Sequence, residues 1–192
     1  SSDLPSSSAI PLAVRRAQDM FVLMFLLRGL PFVDLAYLRK SDLRDNVITY
    51  RRRKTGRPLS VTLTPEALEL LKKYMNRDSH SPYLFSLLKS GEGTKEAYRE
   101  YQLALRSFNQ QLTLLGKVLG LNDRLSSYPA RHTWATTAYY CEIHPGIISE
   151  AMGHSSIKVT ETYLKPFRNK KIDEANNQII DFVKHSIAGV VA

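Results

Sequence analysis

Between residues 95 and 119, Tyr98, Tyr101, Leu105, Phe108, Leu112, Leu115 and Leu119 recur every three to four positions, which is the spacing of one face of a long helix. Other stretches predict further helices. One runs from about Leu12 to Arg28 around the apolar run MFVLMFLL, stops at Gly29, and is followed by Pro31, whose fixed φ suits a first helical turn. Thr64, Pro65 and Glu66 open another, which extends to about Met75. A helix with Pro129 in its first turn ends near Glu142, the next begins at Pro145, and Gly153 caps it. Ser155 or Ser156 then caps a helix that carries Tyr163 about two turns in. Residues 170–186 place Ile172, Ala175, Ile179 and Phe182 or Val183 on one apolar stripe.

A strand pattern occurs in one place. After the turn KSDLRDN, the runs VITYRRRK and PLSVTLT flank TGR, where Gly56 can take the positive φ of a tight hairpin. Residues 1–10, SSDLPSSSAI, are Ser- and Pro-rich and read as a linker or a cut end. No break divides residues 11–186. The prediction is a mainly α-helical α+β fold, a single domain over 11–192 with a small antiparallel β-hairpin on one edge.

Composition narrows the function classes. The 192 residues are 43% hydrophobic, enough to bury a core, and 27 basic against 18 acidic side chains leave a net charge of +9. That charge is compatible with a polyanionic partner without identifying one. Cys141, the only cysteine, excludes an intrachain disulfide, and no charged-then-apolar leader pattern opens the chain, which favours an intracellular protein. The longest apolar run, at 20–27, is far too short to span a bilayer.

Three segments carry candidate chemistry. Alternation along the first strand sets Tyr50, Arg52 and Lys54 on one side and Arg51 and Arg53 on the other, with Arg57 beyond the turn. Cations on both faces predict a solvated hairpin. Its charges either guard a sheet edge or enter a DNA groove, where Lys54 could meet a phosphate or a leaving oxygen. In SSYPARHTWATTAYY, Arg131 and His132 follow Pro129 in a first helical turn, so a guanidinium and helix N–H groups converge on a natural anion site. In GHSSIKVTETYL, His154 sits at an exposed corner and Tyr163 follows nine residues later. Taken singly, these two read as a corner histidine and a core aromatic; together with Arg131 they resemble a site.

The run ARHTWAT, the phrase AMGHSSIKVTETYL, the spacing of Arg131 and His154, and the upstream RGLPFVDLAYLRKSDL and RRRKTGRPLSVTL resemble the catalytic domain of tyrosine recombinases, the phage-integrase family, most of all the integrases of mobile elements. The resemblance covers about Leu12 to Lys165. It implies a site-specific recombinase that cuts and rejoins double-stranded DNA through a 3′-phosphotyrosyl intermediate, with neither metal nor ATP and no other cofactor. It also implies an upstream DNA-binding region, a homotetrameric synapse docked through the C-terminal helix, and a cytoplasmic, nucleoid-associated location. Tyr163 matches the nucleophile, Arg131 the second phosphate-clamping arginine, and His154 the residue that hydrogen-bonds the phosphate. Lys54 matches the lysine that protonates the leaving oxygen, and Asp34 an acidic residue that supports the site.

Two positions depart from the family pattern. Gly29-Leu30-Pro31 stands where the family reads Gly-Leu-Arg, which leaves Arg28 as the candidate first clamp, with Arg51 and Arg53 next. Tyr128 stands where the family has a histidine three residues before the second arginine. Its phenol can still donate a hydrogen bond to phosphate. Two other classes remain open at this level. PGIISEAMGHSSIKVTETYL could form a helix-turn-helix in a non-catalytic DNA-binding protein, and topoisomerase-like strand transfer would share the same chemistry.

Overall fold

The computed structural model describes residues 10–164 and 169–188. The linker reading for residues 1–9 therefore lies outside the described residues.

Helix α1 (Leu12–Leu26) buries Val14, Ala17, Met20, Leu23 and Met24 and packs against α3 (Pro65–Tyr74), α4 (Lys95–Val118) and α5 (Tyr128–Tyr140). It ends two residues earlier than its sequence pattern indicates, because Arg28 and Gly29 both take left-handed φ values, 61° and 68°. Pro31 then caps α2 (Phe32–Tyr37) from outside the helix, with ψ 150°. Phe32 stacks on Phe108 of α4 with ring centroids 4.7 Å apart, and this ties α2 to the core. Of the stripe predicted on α4, Phe108, Leu112 and Leu115 are buried, while Tyr98 and Leu119 at its ends stay exposed. Thr64 caps α3 as expected, its hydroxyl accepting from the Ala67 N–H at 3.2 Å.

The sheet has three antiparallel strands, β1 (Leu43–Arg44), β2 (Val47–Arg51) and β3 (Pro58–Thr62), in that spatial order. The sequence pattern anticipates β2 and β3 but not β1. A two-residue strand is too short to show alternation, and its link to β2 is the pair Asp45-Asn46 at φ 50° and 60°, the positive values of a tight two-residue hairpin loop. The second hairpin is closed by Arg52 N–H donating to the Arg57 carbonyl at 2.8 Å, with Gly56 at φ 69° in the tip.

Beyond α5 come α6 (Pro145–Met152), α7 (Ile157–Glu161) and α8 (Asn169–Ala188). Ala135, Ile148 and Met152 form a second small core, with Trp134, Ala138, Tyr139 and Tyr163 against it. Gly153 ends α6 at φ 64°, as its sequence position predicts. Helix α7 is shorter than expected. It ends at Glu161, so Tyr163 lies in the turn that follows rather than two turns inside a helix, its N–H donating to the Thr160 carbonyl at 3.0 Å.

Two glycines let these parts approach. A Cβ on Gly29 would stand 2.9 Å from Arg131 Cα, and one on Gly153 would stand 2.8 Å from a Leu59 methyl and 3.2 Å from Arg52 Cδ. Helix α5 and the hairpin therefore close over backbone that has no side chain. Gly56 has a similar φ, but a Cβ there would meet nothing within 4 Å, so this position isolates the conformational cost from the crowding. Gly56→Ala is expected to cost about 1–2 kcal/mol, and Gly29→Ala about 3 kcal/mol or more because a steric conflict is added to the same strain. Urea denaturation of the two variants beside the wild type measures the difference; equal losses would mean that the approach of α5 to Gly29 is not tight.

Candidate active site

Arg131 lies in the first turn of α5 and is 6% exposed. Its guanidinium donates to the Gly29 carbonyl at 3.0 Å and to the Met152 carbonyl at 2.8 Å, so two neutral acceptors hold the cation and other N–H groups remain for a ligand. Burial, with the repulsion of Arg52 added, pushes its pKa below the usual arginine value, although it stays charged.

Arg52, just past the end of β2, is also 6% exposed. It donates to the Gly153 carbonyl at 3.2 Å, and its Nε lies 3.8 Å from Asp34 Oδ2. The expected solvated hairpin is thus corrected at this residue. Arg52 follows Tyr50 by two positions, and the side of the ribbon that carries both is covered by the Gly153 corner and by α2. Asp34, in the first turn of α2, accepts from the Arg53 backbone N–H at 2.9 Å through Oδ1. Burial raises the Asp34 pKa, while that backbone hydrogen bond and the nearby arginines oppose the rise. Asp34 therefore pairs with one buried guanidinium group, that of Arg52, and feels the charge of a second, that of Arg131.

His154 is 1% exposed, not the solvent-facing corner residue that the sequence indicates. Its Nδ1 lies 2.7 Å from Thr160 Oγ1, and its ring is parallel to that of Tyr163, with centroids 5.7 Å apart and planes at 2°. Burial first, and then the charges of Arg131, Arg52 and Lys54, lower its pKa to about 4, so the ring is neutral near pH 7. The Tyr163 phenol is within side-chain hydrogen-bonding reach of Arg131 and of Tyr128. Partial burial, followed by the bond to Tyr163, raises the pKa of Tyr128. Asp34 Oδ2, Arg52 Nε and His154 Nε2 are buried without a hydrogen-bond partner among the described residues.

The hairpin tip is tied to the same corner. Thr55 Oγ1 donates to the Gly153 carbonyl at 3.0 Å, and Arg57 donates to the His154 carbonyl at 2.6 Å with Glu150 at 3.6 Å. Lys54 is exposed at the tip. Of the other hairpin cations expected to meet DNA, Arg51 donates to the Gly56 carbonyl, and Arg53 pairs with Glu92 at 2.6 Å while its guanidinium lies 3.8 Å above the Tyr37 ring. Arg28 lines a groove with Trp134, Ala138, Ile143, Ile147, Glu150 and Ala151, and its charge, like those of Arg131 and Arg52, acts on the Tyr50 phenol. The cluster thus unites Arg131, His154, Tyr163, Tyr128 and Asp34 with Arg52 and Thr160. Sequence reasoning assigned Arg52 to DNA contact and passed over Thr160; the shared alternation of Tyr50 and Arg52 was the one available signal.

Chemically, the cluster offers an excess of fixed cations, a neutral imidazole and a phenol around one point. That combination can bind a tetrahedral oxyanion and stabilise charge that develops on it. Among the described residues, no three His, Cys, Asp or Glu side chains group as metal ligands, and no helix is long and apolar enough to cross a membrane.

The chain is 27% identical over 164 residues to the tyrosine recombinase XerC of Neisseria gonorrhoeae, a match over 85% of this chain and 51% of that protein. It is 27% identical over 149 residues to XerA of Pyrococcus furiosus, over 76% of this chain and 49% of that protein. The chain thus spans about half the length of the curated relatives it matches. Among solved structures, the fold is shared with XerA recombinase at a TM-score of 0.56 and 19% identity, over 92% of this chain and 65% of that one. It is shared with the Tn1549 transposon integrase in complex with a circular intermediate DNA at 0.63 and 18%, over 89% and 62%. The model of the phage integrase family matches residues 11–170, and the chain belongs to that family.

Proposed function

We propose that this domain cuts and rejoins double-stranded DNA with Tyr163 as the nucleophile. The observation that carries this reading is the stacking of Tyr163 on a neutral, buried His154 beside two buried guanidinium groups, of which Arg52 pairs with the Asp34 carboxylate and Arg131 is held by neutral carbonyls. DNA as the substrate is further supported by the net charge of +9 and by solved structures of the same fold that hold a circular intermediate DNA or a core site.

In the proposed reaction, the Tyr163 oxygen forms a bond to the scissile phosphorus and passes its proton to water as the bond to the 5′ oxygen breaks. Lys54, at the mobile end of an exposed side chain, supplies a proton to that leaving oxygen. Arg131 and Arg52 hold the non-bridging oxygens, and His154 Nε2 and the Tyr128 hydroxyl add hydrogen bonds. The phosphotyrosyl ester keeps the energy of the original bond, and attack by a 5′-hydroxyl reverses the step. Asp34 orients Arg52 and, through the Arg53 N–H, the start of the hairpin tip. Arg52 takes the clamping role that the sequence pattern left to Arg28. Its burial and its bond to the Gly153 carbonyl support this, since a cation fixed before the reaction needs no reorganisation during it.

The exposed stripe of α8, with Ile172 and Ile179 at 54% and 63%, is proposed to dock on another copy of the chain in a tetrameric synapse. The protein would then act on DNA in the cytoplasm.

Tyr163→Phe is expected to abolish the covalent protein–DNA adduct formed on nicked substrate in denaturing electrophoresis, while the free protein remains folded; an adduct that persists would assign the attack elsewhere. Arg52→Ala should slow adduct formation by about 100-fold or more with DNA affinity within a few-fold, because one phosphate contact among many contributes little to binding. Arg28→Ala should leave the rate close to wild type, and the reverse pattern would return the role to Arg28. Removing residues 170–192 should spare cleavage of one strand more than it spares pairing of two DNA sites in native gels; equal loss of both would argue against docking through α8.

A further inference from the structure

The hairpin tip, residues 52–57, is also held by the loop that leads into α4. That loop is itself fixed. Glu100 of α4 accepts from the Lys89 and Ser90 N–H groups at 2.7 and 3.0 Å and from the Ser90 hydroxyl at 2.7 Å. The buried Tyr83 donates its hydroxyl hydrogen to the Ser90 carbonyl at 2.7 Å, and Thr94, the N-cap of α4, donates to the Gly91 carbonyl at 2.7 Å. Glu92 stands between these points. Its Oε2 accepts from Arg39 Nη2 at 2.6 Å and its Oε1 from Arg53 Nη1 at 2.6 Å. Hydrogen bonds from Arg53 and then Arg39 hold its carboxyl below the usual carboxylate range, so it is charged near neutral pH.

Arg53 is thereby fixed at both ends. Its backbone N–H donates to Asp34 at 2.9 Å, and its guanidinium, bonded to Glu92, rests on the Tyr37 ring. Around it, Arg52 and Thr55 meet the Gly153 carbonyl and Arg57 the His154 carbonyl. Lys54 lies between Arg53 and Thr55. Its side chain is exposed, and among the described residues no hydrogen bond or ion pair holds its ammonium. The chain is thus tied down on either side of the one tip cation that stays free among these residues. A lone exposed ion pair stabilises a fold little. A misplacement of about 1 Å, however, can cost a reacting group about 100-fold in rate.

We infer that Glu92 is a positioning residue for Lys54: by holding Arg53 against the loop before α4, it sets the start of the hairpin tip and hence where the Lys54 ammonium reaches. Arg53 then serves the hairpin rather than the DNA. The role rests on the reading of Lys54 as the proton donor to the leaving 5′ oxygen, but the hold on the tip can be measured without DNA.

The test is adduct formation on nicked DNA whose 5′ bridging oxygen at the scissile phosphate is replaced by sulfur, beside the ordinary oxygen substrate. A thiolate leaves without a proton, so a defect in the delivery of that proton disappears on sulfur. Glu92→Gln keeps the shape of an exposed side chain and should leave the urea midpoint near that of the wild type. It is expected to slow adduct formation on the oxygen substrate about tenfold, the rate equivalent of one hydrogen bond, and to match the wild type on sulfur. Lys54→Ala should show the same pattern with a larger loss. DNA affinity should stay equal or tighten, since a negative charge is removed. In the free protein, hydrogen exchange at the Gly56 amide, bonded to the Arg52 carbonyl at 2.7 Å, should quicken in Glu92→Gln. An unchanged rate on oxygen, or an equal loss on both substrates, overturns the assignment. If Lys54→Ala is not restored by sulfur, the proton-donor reading fails instead, and the exchange at Gly56 then decides by itself whether Glu92 holds the tip.

Discussion

Two guanidinium groups, those of Arg52 and Arg131, lie buried in the site, where among the described residues only Arg52 pairs with a carboxylate, that of Asp34, and the layout of the site follows from that imbalance. Removing a cation from water costs several kcal/mol unless other groups replace the hydration. Here the replacements are mainly the carbonyls of Gly29, Met152 and Gly153, all neutral. The arginines are held in place but not neutralised. Burial first, and then the remaining positive field, lowers the His154 pKa and leaves the ring uncharged, so the histidine contributes hydrogen bonding rather than charge.

The same carbonyls join parts of the chain that are distant in sequence. The Gly29 carbonyl belongs to the break after α1, and the Met152 and Gly153 carbonyls to the end of α6, where helix geometry leaves acceptors without partners inside the helix. Arg131 bridges the two breaks, and Arg52 with Thr55 brings the hairpin tip onto the second. The left-handed glycines allow these approaches, since a Cβ at either would enter its neighbour. Helix ends, not helix faces, therefore build the site, and they are the parts of a fold that a periodic pattern describes least well.

Much was legible before the structure. The helices, the hairpin with Gly56 at its tip, and the cap at Gly153 follow from periodicity and from the conformational limits of glycine and proline. So does the grouping of Arg131, His154 and Tyr163, once the pattern of a known family is laid over the residues. The strand β1 was hidden because two residues carry no period. The position of Tyr163 in a turn was hidden because Thr162 and Tyr163 continue a helical-looking run, and only the hydrogen bonding of α7 shows where that run stops.

The sequence by itself determined which residue types are available and at what spacing: a phenol nine residues after a histidine, an arginine in a first helical turn, and a hairpin loaded with cations. Only the tertiary structure decided which cation enters the pocket. Arg51, Arg52 and Arg53 are chemically equivalent along the strand, yet Arg52 alone of the three meets the Gly153 carbonyl, 101 positions away, while Arg51 turns to the Gly56 carbonyl and Arg53 to Glu92. Alternation fixes that neighbouring side chains point to opposite sides, but which side is buried depends on what packs there. That partner, the corner between α6 and α7, is set by helix packing that no local pattern encodes.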